Sequence, residues 1–101
     1  MRELLVPTGV LEHDDGVEFV RMWVAGGKDH VSLHIGAMGD REVVQWGMIL
    51  ADISIHIIRG LIQDGATDSP EVLRAELEKS YLGRLKSKDT DYSGSLLGSR
   101  Q

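Results

Sequence analysis

The feature that most limits the fold of this chain is residues 40–64, where apolar residues recur at helical spacing on two sides. At about 100° per residue, one stripe consists of Trp46, Leu50, Ile53, Ile57 and Leu61. A second stripe, on nearly the opposite side, consists of Val44, Met48, Ile55, Ile58 and Ile62. Small residues lie between the stripes: Gly47, Ala51 and Ser54. If such a helix packed one stripe on a small sheet, the other apolar stripe would remain exposed to water.

The second stripe therefore needs a cover. Five such side chains left in water would forgo about 7–15 kcal/mol of burial free energy, as much as the roughly 5–15 kcal/mol that stabilises an ordinary domain. The following helix offers only Leu73, Leu77 and Tyr81. We therefore expect a symmetric homodimer, although that helix folding back is the alternative. The predicted dimer interface consists of Val44, Met48, Ala51, Ile55, Ile58 and Ile62.

Capping residues set the expected helix ends. Asp40 is a good N-cap, Glu42 suits the positive end of the helix dipole, and Gly65 is typical of the C′ position. Gly60 costs about 1 kcal/mol relative to alanine, so a break there is an alternative. Ser69 and Pro70 predict the start of a second helix that fades near residues 83–86.

Two alternating segments, residues 17–25 and 30–35, predict a β-hairpin. A four-residue loop, residues 26–29, would place Val24 opposite Val31. A two-residue Gly26-Gly27 turn keeps the same faces together but places Glu18 opposite Ile35. We favour the four-residue loop.

The elements together predict an α+β fold. We expect a β-hairpin, alone or within a small antiparallel sheet of three or more strands, packed on the long helix and followed by a shorter C-terminal helix. Residues 1–16 read as irregular or weakly extended chain. Residues 1–86 would form a single domain, and residues 87–101 a flexible polar tail.

Composition excludes several classes of function. Among the 101 residues there is no cysteine, which removes thiolate catalysis and cysteine-based metal sites. The net charge of −5 opposes binding to a phosphate backbone, so we expect no nucleic-acid partner. No secretion signal or uninterrupted apolar span is visible, so we expect a cytoplasmic protein without a membrane partner.

One face of the predicted hairpin is a candidate ligand-binding surface. It brings together Phe19, Arg21, Trp23, His30 and His34. Aromatic rings beside an arginine can stack on a planar ligand. The alternative is that residues 1–16, the second helix or a partner subunit covers this face.

The histidines do not form a metal or catalytic motif. His30 and His34 would lie about 13 Å apart along a strand, too far to share one ion. Asp52 and His56 are spaced to meet on a helix, but no nucleophile accompanies them, so a solvated polar stripe is the simpler interpretation. His13 lies in an exposed acidic turn. Asp40 follows the Gly36-x-x-Gly39 loop and opposes phosphate binding there. We expect no metal, no cofactor and no catalytic residue.

The strings His30-Val31-Ser32-Leu33 and Trp46-Gly47-Met48-Ile49-Leu50-Ala51-Asp52, with His56 four residues further on, resemble a family of small bacterial proteins. That family is known only as a domain of unknown function. The resemblance spans roughly residues 17–62. It implies a small α+β unit of bacterial origin and supplies no catalytic residues.

These observations favour a non-enzymatic, self-associating interaction protein, because no complete catalytic group of residues accompanies the two-sided helix. The alternative is a small-molecule binder or enzyme that uses the face with Phe19, Arg21 and Trp23.

Overall fold

The computed structural model describes residues 2–87, which form two compact units, residues 2–35 and residues 36–87. The first unit contains a short helix α1 (Thr8–Leu11) and the strands β1 (Val20–Ala25) and β2 (Lys28–Leu33). The second contains the helices α2 (Glu42–Gln63) and α3 (Pro70–Ser87). This confirms the predicted α+β class. Within the described part of the chain the sheet has two strands, and α1 occupies a segment where irregular or weakly extended chain was expected.

The hairpin turns through Gly26 and Gly27 alone, because Ala25 is paired directly with Lys28. The predicted four-residue loop is therefore wrong, and Val24 lies opposite Asp29 instead of Val31. Both glycines have positive φ, 60° and 73°. A two-residue turn with two such residues matches the natural twist of the strands, which explains why the shorter turn forms.

The start of α2 differs from the expected cap. Asp40 does not cap the helix; Arg41 holds the N-cap position with φ of 57° and makes no side-chain capping bond. The acidic residue inside the first turn, Glu42, instead reaches back to the preceding loop. From Glu42 the helix continues through Gly60 without a break to Gln63.

The end of α2 follows the prediction. The amide of Gly65 donates to the carbonyl of Ile62 at 3.1 Å, and the amide of Ala66 donates to that of Leu61 at 3.0 Å. With φ of 100° at Gly65, this is a Schellman motif, which only glycine accommodates without strain.

The start of α3 is also as predicted. The Ser69 Oγ accepts a hydrogen bond from the amide of Val72 at 3.2 Å, and Pro70 is the first helical residue. The helix extends to Ser87, slightly beyond the expected end. The rest of the predicted tail, residues 88–101, lies outside the described residues.

Helix α3 packs against α2, and the small-residue strip of α2 lines the groove between them. This cover is incomplete. From residue 2 to residue 87, no side chain is buried. None of the described helices has the length and apolar character needed to cross a bilayer.

Candidate functional site

The most prominent surface of the second unit is the exposed apolar side of α2. Its members from the predicted interface are Val44, Met48, Ile55 and Ile62, and Met48 and Ile55 are 58% and 47% exposed. Ile58 is half-buried, and Ala51 lines the groove beside α3. All six residues thus lie on α2, and five of them, all except Ile58, are exposed to solvent. Whether a second copy covers them stays a prediction.

The opposite stripe of α2 is open as well. Leu50, Ile53, Ile57 and Leu61 are all exposed, whereas Trp46 is half-buried. Helix α2 therefore presents two exposed apolar surfaces, one on either side of its contact with α3. Burial of either surface would be favourable, because removing apolar side chains from water lowers the free energy.

The groove between α2 and α3 has a volume of about 420 Å³. Ala51, Ile55 and Ile58 line it from α2, and Leu77 and Tyr81 line it from α3. An ion pair closes its rim, in which the Arg74 Nε donates to Glu78 at 2.8 Å. The hydrogen bond to Glu78 raises the pKa of Arg74 above its ordinary value. The groove is therefore apolar inside, and its cation is already paired.

In the first unit, the hairpin places the predicted ligand-binding residues on one face. Trp23 lies opposite His30, Arg21 lies opposite Ser32, and the rings of Phe19 and His34 stack with centroids 5.6 Å apart. The His30 Nε2 lies 3.1 Å from the carbonyl oxygen of Ala25. Sequence reasoning therefore grouped these residues correctly, and a ligand-binding role for them stays a prediction.

Arg21, the cation of that face, is held by two carboxylates. Its Nε donates to Glu18 at 2.7 Å, and its Nη1 donates to Glu3 at 3.3 Å. The hydrogen bond to Glu18 raises the pKa of Arg21, and the same bond lowers the pKa of the Glu18 carboxyl. Because the positive charge is already compensated, the chemistry that this face offers is a planar apolar surface more than an anion site.

A site that the sequence did not reveal surrounds Glu42. Its carboxylate accepts hydrogen bonds from the amide of Gly36 at 3.0 Å, the amide of Met38 at 3.1 Å and the Trp46 Nε1 at 2.9 Å. Gly36 and Gly39 give the loop its shape with φ of 97° and 76°. The amides of this loop therefore hold the protein's own carboxylate. The sequence pattern that could have indicated this site is a Gly-x-x-Gly loop followed by a glutamate, with a tryptophan four residues after the glutamate.

No metal centre emerges from the described chain, since residues 2–87 contain no group of three or more histidine and acidic side chains arranged to hold an ion. Asp52 and His56 lie one turn apart on α2, and no third ligand joins them there.

Comparison with known proteins establishes the family. The family described as "Domain of unknown function (DUF5076)" matches residues 3–89. This chain belongs to that family. The match extends well beyond the segment that carries the sequence resemblance and includes both α2 and α3. Among curated proteins, none matches the chain.

A solved structure shows that the fold of this DUF5076 member is shared. It comes from the photosynthetic bacterium Rhodopseudomonas palustrus and is described as a "putative pyruvate dehydrogenase". The two chains are 20% identical, with a TM-score of 0.60, and the similarity covers 84% of this chain and 94% of the other. At this identity, the likeness supports a common fold alone.

Proposed function

We propose that this DUF5076 protein is a non-enzymatic, cytoplasmic interaction protein that acts as a homodimer, with the second stripe of α2 at the interface. One observation carries the proposal. No side chain of residues 2–87 is buried, although α2 presents apolar residues on both sides of its contact with α3.

The degree of exposure supports a partner as part of the folded state. Isolated exposed apolar side chains are common on monomers. A contiguous row of them is different, because exposed apolar patches mark interaction surfaces. On α2 the row runs through Val44, Met48, Ile55 and Ile62, which repeat at helical spacing along nearly the whole helix.

A second copy of the chain is the simplest occupant. A two-fold axis would place identical apolar rows against each other, and most soluble oligomers are symmetric homo-oligomers. The polar arc of the same helix, which includes Gln45 and Asp52, would remain in water.

The test is solution mass by light scattering over a concentration series of the full chain, with Met48→Glu as the interface variant. Met48 is already 58% exposed, so a glutamate there has little effect on an isolated subunit. In the dimer it would be buried against apolar side chains, and we expect dissociation to become at least about 100-fold more favourable.

The matched control is Gln45→Glu, which adds the same charge to the polar arc of the same helix. It should leave the mass unchanged, and circular dichroism should show equal helix content in both variants. A wild-type chain that is monomeric throughout the series and unfolds cooperatively would refute the proposal. Equal effects of the two substitutions would refute this interface.

A further inference from the structure

Within residues 2–87, one edge of the hairpin pairs with no other strand, and one hydrogen bond shows which backbone groups lie on that edge. The amide of His34 donates to the carbonyl of Phe19 at 2.9 Å, and these residues continue the register of the ladder. Residues 19, 21, 23 and 25 therefore direct their backbone groups toward β2. Val20, Met22 and Val24 direct theirs away from it. In the described chain, no backbone bond from another segment reaches these three residues.

The two edges of the hairpin differ in their protection. Charged side chains on an edge strand oppose pairing with another strand. The β2 edge carries Lys28 and Asp29, and Asp29 is one of its outward-directed residues. On β1 the outward-directed residues are all apolar, and Met22 and Val24 are 58% and 69% exposed.

An open groove runs along this unprotected edge. It has a volume of about 520 Å³ and lies between β1 and residues 2–7, with Val10 and residues 16–18 also lining it. Val20 and Met22 line it from one face of the strand, and Arg21 and Trp23 line it from the other. Because both faces contribute, the groove follows the edge of β1, and a second strand would enter it between β1 and residues 2–7.

From these three observations we infer that β1 pairs antiparallel with β1 of a second copy, across a two-fold axis at Met22. The product is a four-stranded sheet shared by two subunits. The inference rests on the proposed self-association, because its occupant is a second copy, but it names a different surface from α2.

The sequence of β1 is complementary to itself in this register. Val20 lies opposite the partner's Val24, and Met22 lies opposite the partner's Met22, which gives apolar pairs on one face. On the other face, Arg21 lies opposite the partner's Trp23, a pair suited to a cation–π contact. If β2 paired instead with β2 of a second copy, across a two-fold axis at Val31, Asp29 would lie opposite the partner's Leu33. The apolar pairing therefore selects β1.

Disulfide trapping tests the inference, because the chain has no cysteine of its own. In the proposed register, Met22→Cys places two cysteines about 5.5 Å apart between their Cα atoms, within reach of a disulfide. Mild oxidation should convert most of that variant into a covalent dimer. The control is Val24→Cys, on the same edge and face, whose copies would lie roughly 14 Å apart. It should give less than about one tenth as much covalent dimer, since that distance exceeds the disulfide range.

A mixture provides a second, independent readout of the register. Equal amounts of Val20→Cys and Val24→Cys protein should form a mixed covalent dimer, and neither should do so alone. If Met22→Cys fails to cross-link while the wild-type chain is dimeric, the edge pairing is wrong and the proposed self-association stands. If the wild-type chain is monomeric, both are wrong. Equal cross-linking by Met22→Cys and Val24→Cys would also overturn the edge pairing, because it would reflect collision alone.

Discussion

The Trp46 Nε1 donates a hydrogen bond at 2.9 Å to the carboxylate of Glu42, which lies four residues earlier on the same face of α2. The same carboxylate accepts the amides of Gly36 and Met38. A side chain of the first helical turn thus binds the loop before α2. In most helices the side chain of the N-cap residue makes such hydrogen bonds.

This arrangement predicts that Glu42→Gln destabilises the protein by about 1–3 kcal/mol, because a neutral amide cannot accept from three donors as a carboxylate does. Chemical denaturation followed by circular dichroism measures the change. The matched control is Glu71→Gln, which removes an acid from the first turn of α3 and should cost about 0.5 kcal/mol. Equal losses for the two variants would contradict a special role for Glu42.

Two glycines near the end of α2 should respond in opposite directions to alanine. At Gly60, inside the helix, an added Cβ meets no atom within 4 Å, so Gly60→Ala should stabilise the protein by about 1 kcal/mol. Gly65 has φ of 100°, so Gly65→Ala should destabilise it by about 1–2 kcal/mol. Thermal unfolding of both variants tests the pair. A loss of stability in Gly60→Ala would show that another surface approaches the helix at that point.

The cap of α3 gives a third prediction. Ser69→Ala removes the acceptor for the amide of Val72 and should cost about 1 kcal/mol. Ser80 is exposed and lies away from both ends of the same helix, so Ser80→Ala should be neutral or slightly stabilising. Urea midpoints of the two variants make the comparison. The cap would be unimportant if both midpoints shifted equally.

A fourth prediction concerns the ion pair on the hairpin. Arg21 lowers the pKa of Glu18 in the folded state, so this pair contributes stability at neutral pH that is lost as the pH falls through the folded-state pKa of Glu18. In Arg21→Ala, the pKa of Glu18 should rise toward its ordinary value, because the hydrogen bond that lowers it is lost. Carboxyl chemical shifts followed by NMR through an acid titration would detect the difference. An unchanged titration would mean that the pair does not persist in solution.

The ends of helices could be predicted from the sequence where one residue type strongly favours the required backbone conformation. Gly65 ended α2, and Ser69 with Pro70 began α3, because few other residues suit those positions. The pairing of faces in the hairpin was also readable, since alternation fixes which side chains share a side.

The sequence was less informative where two local structures fitted it about equally well. Two loop lengths preserved the same faces of the hairpin, and the difference lay in the φ of Gly26 and Gly27, which composition alone does not specify. Asp40 looked like the better cap, but Glu42 lies where its longer side chain reaches the loop amides. The candidate ligand face was grouped correctly, whereas the pairing of Arg21 with Glu3 depends on a contact distant in sequence.

The two-glycine turn has a consequence for how this family can vary. Each side chain of β2 faces its present side because two residues separate the strands. One inserted residue would turn all of β2 over, so that Val31 and Leu33 exchanged sides with His30 and Ser32. Relatives that lengthen this connection should therefore do so in steps of two, or carry a β-bulge that restores the parity.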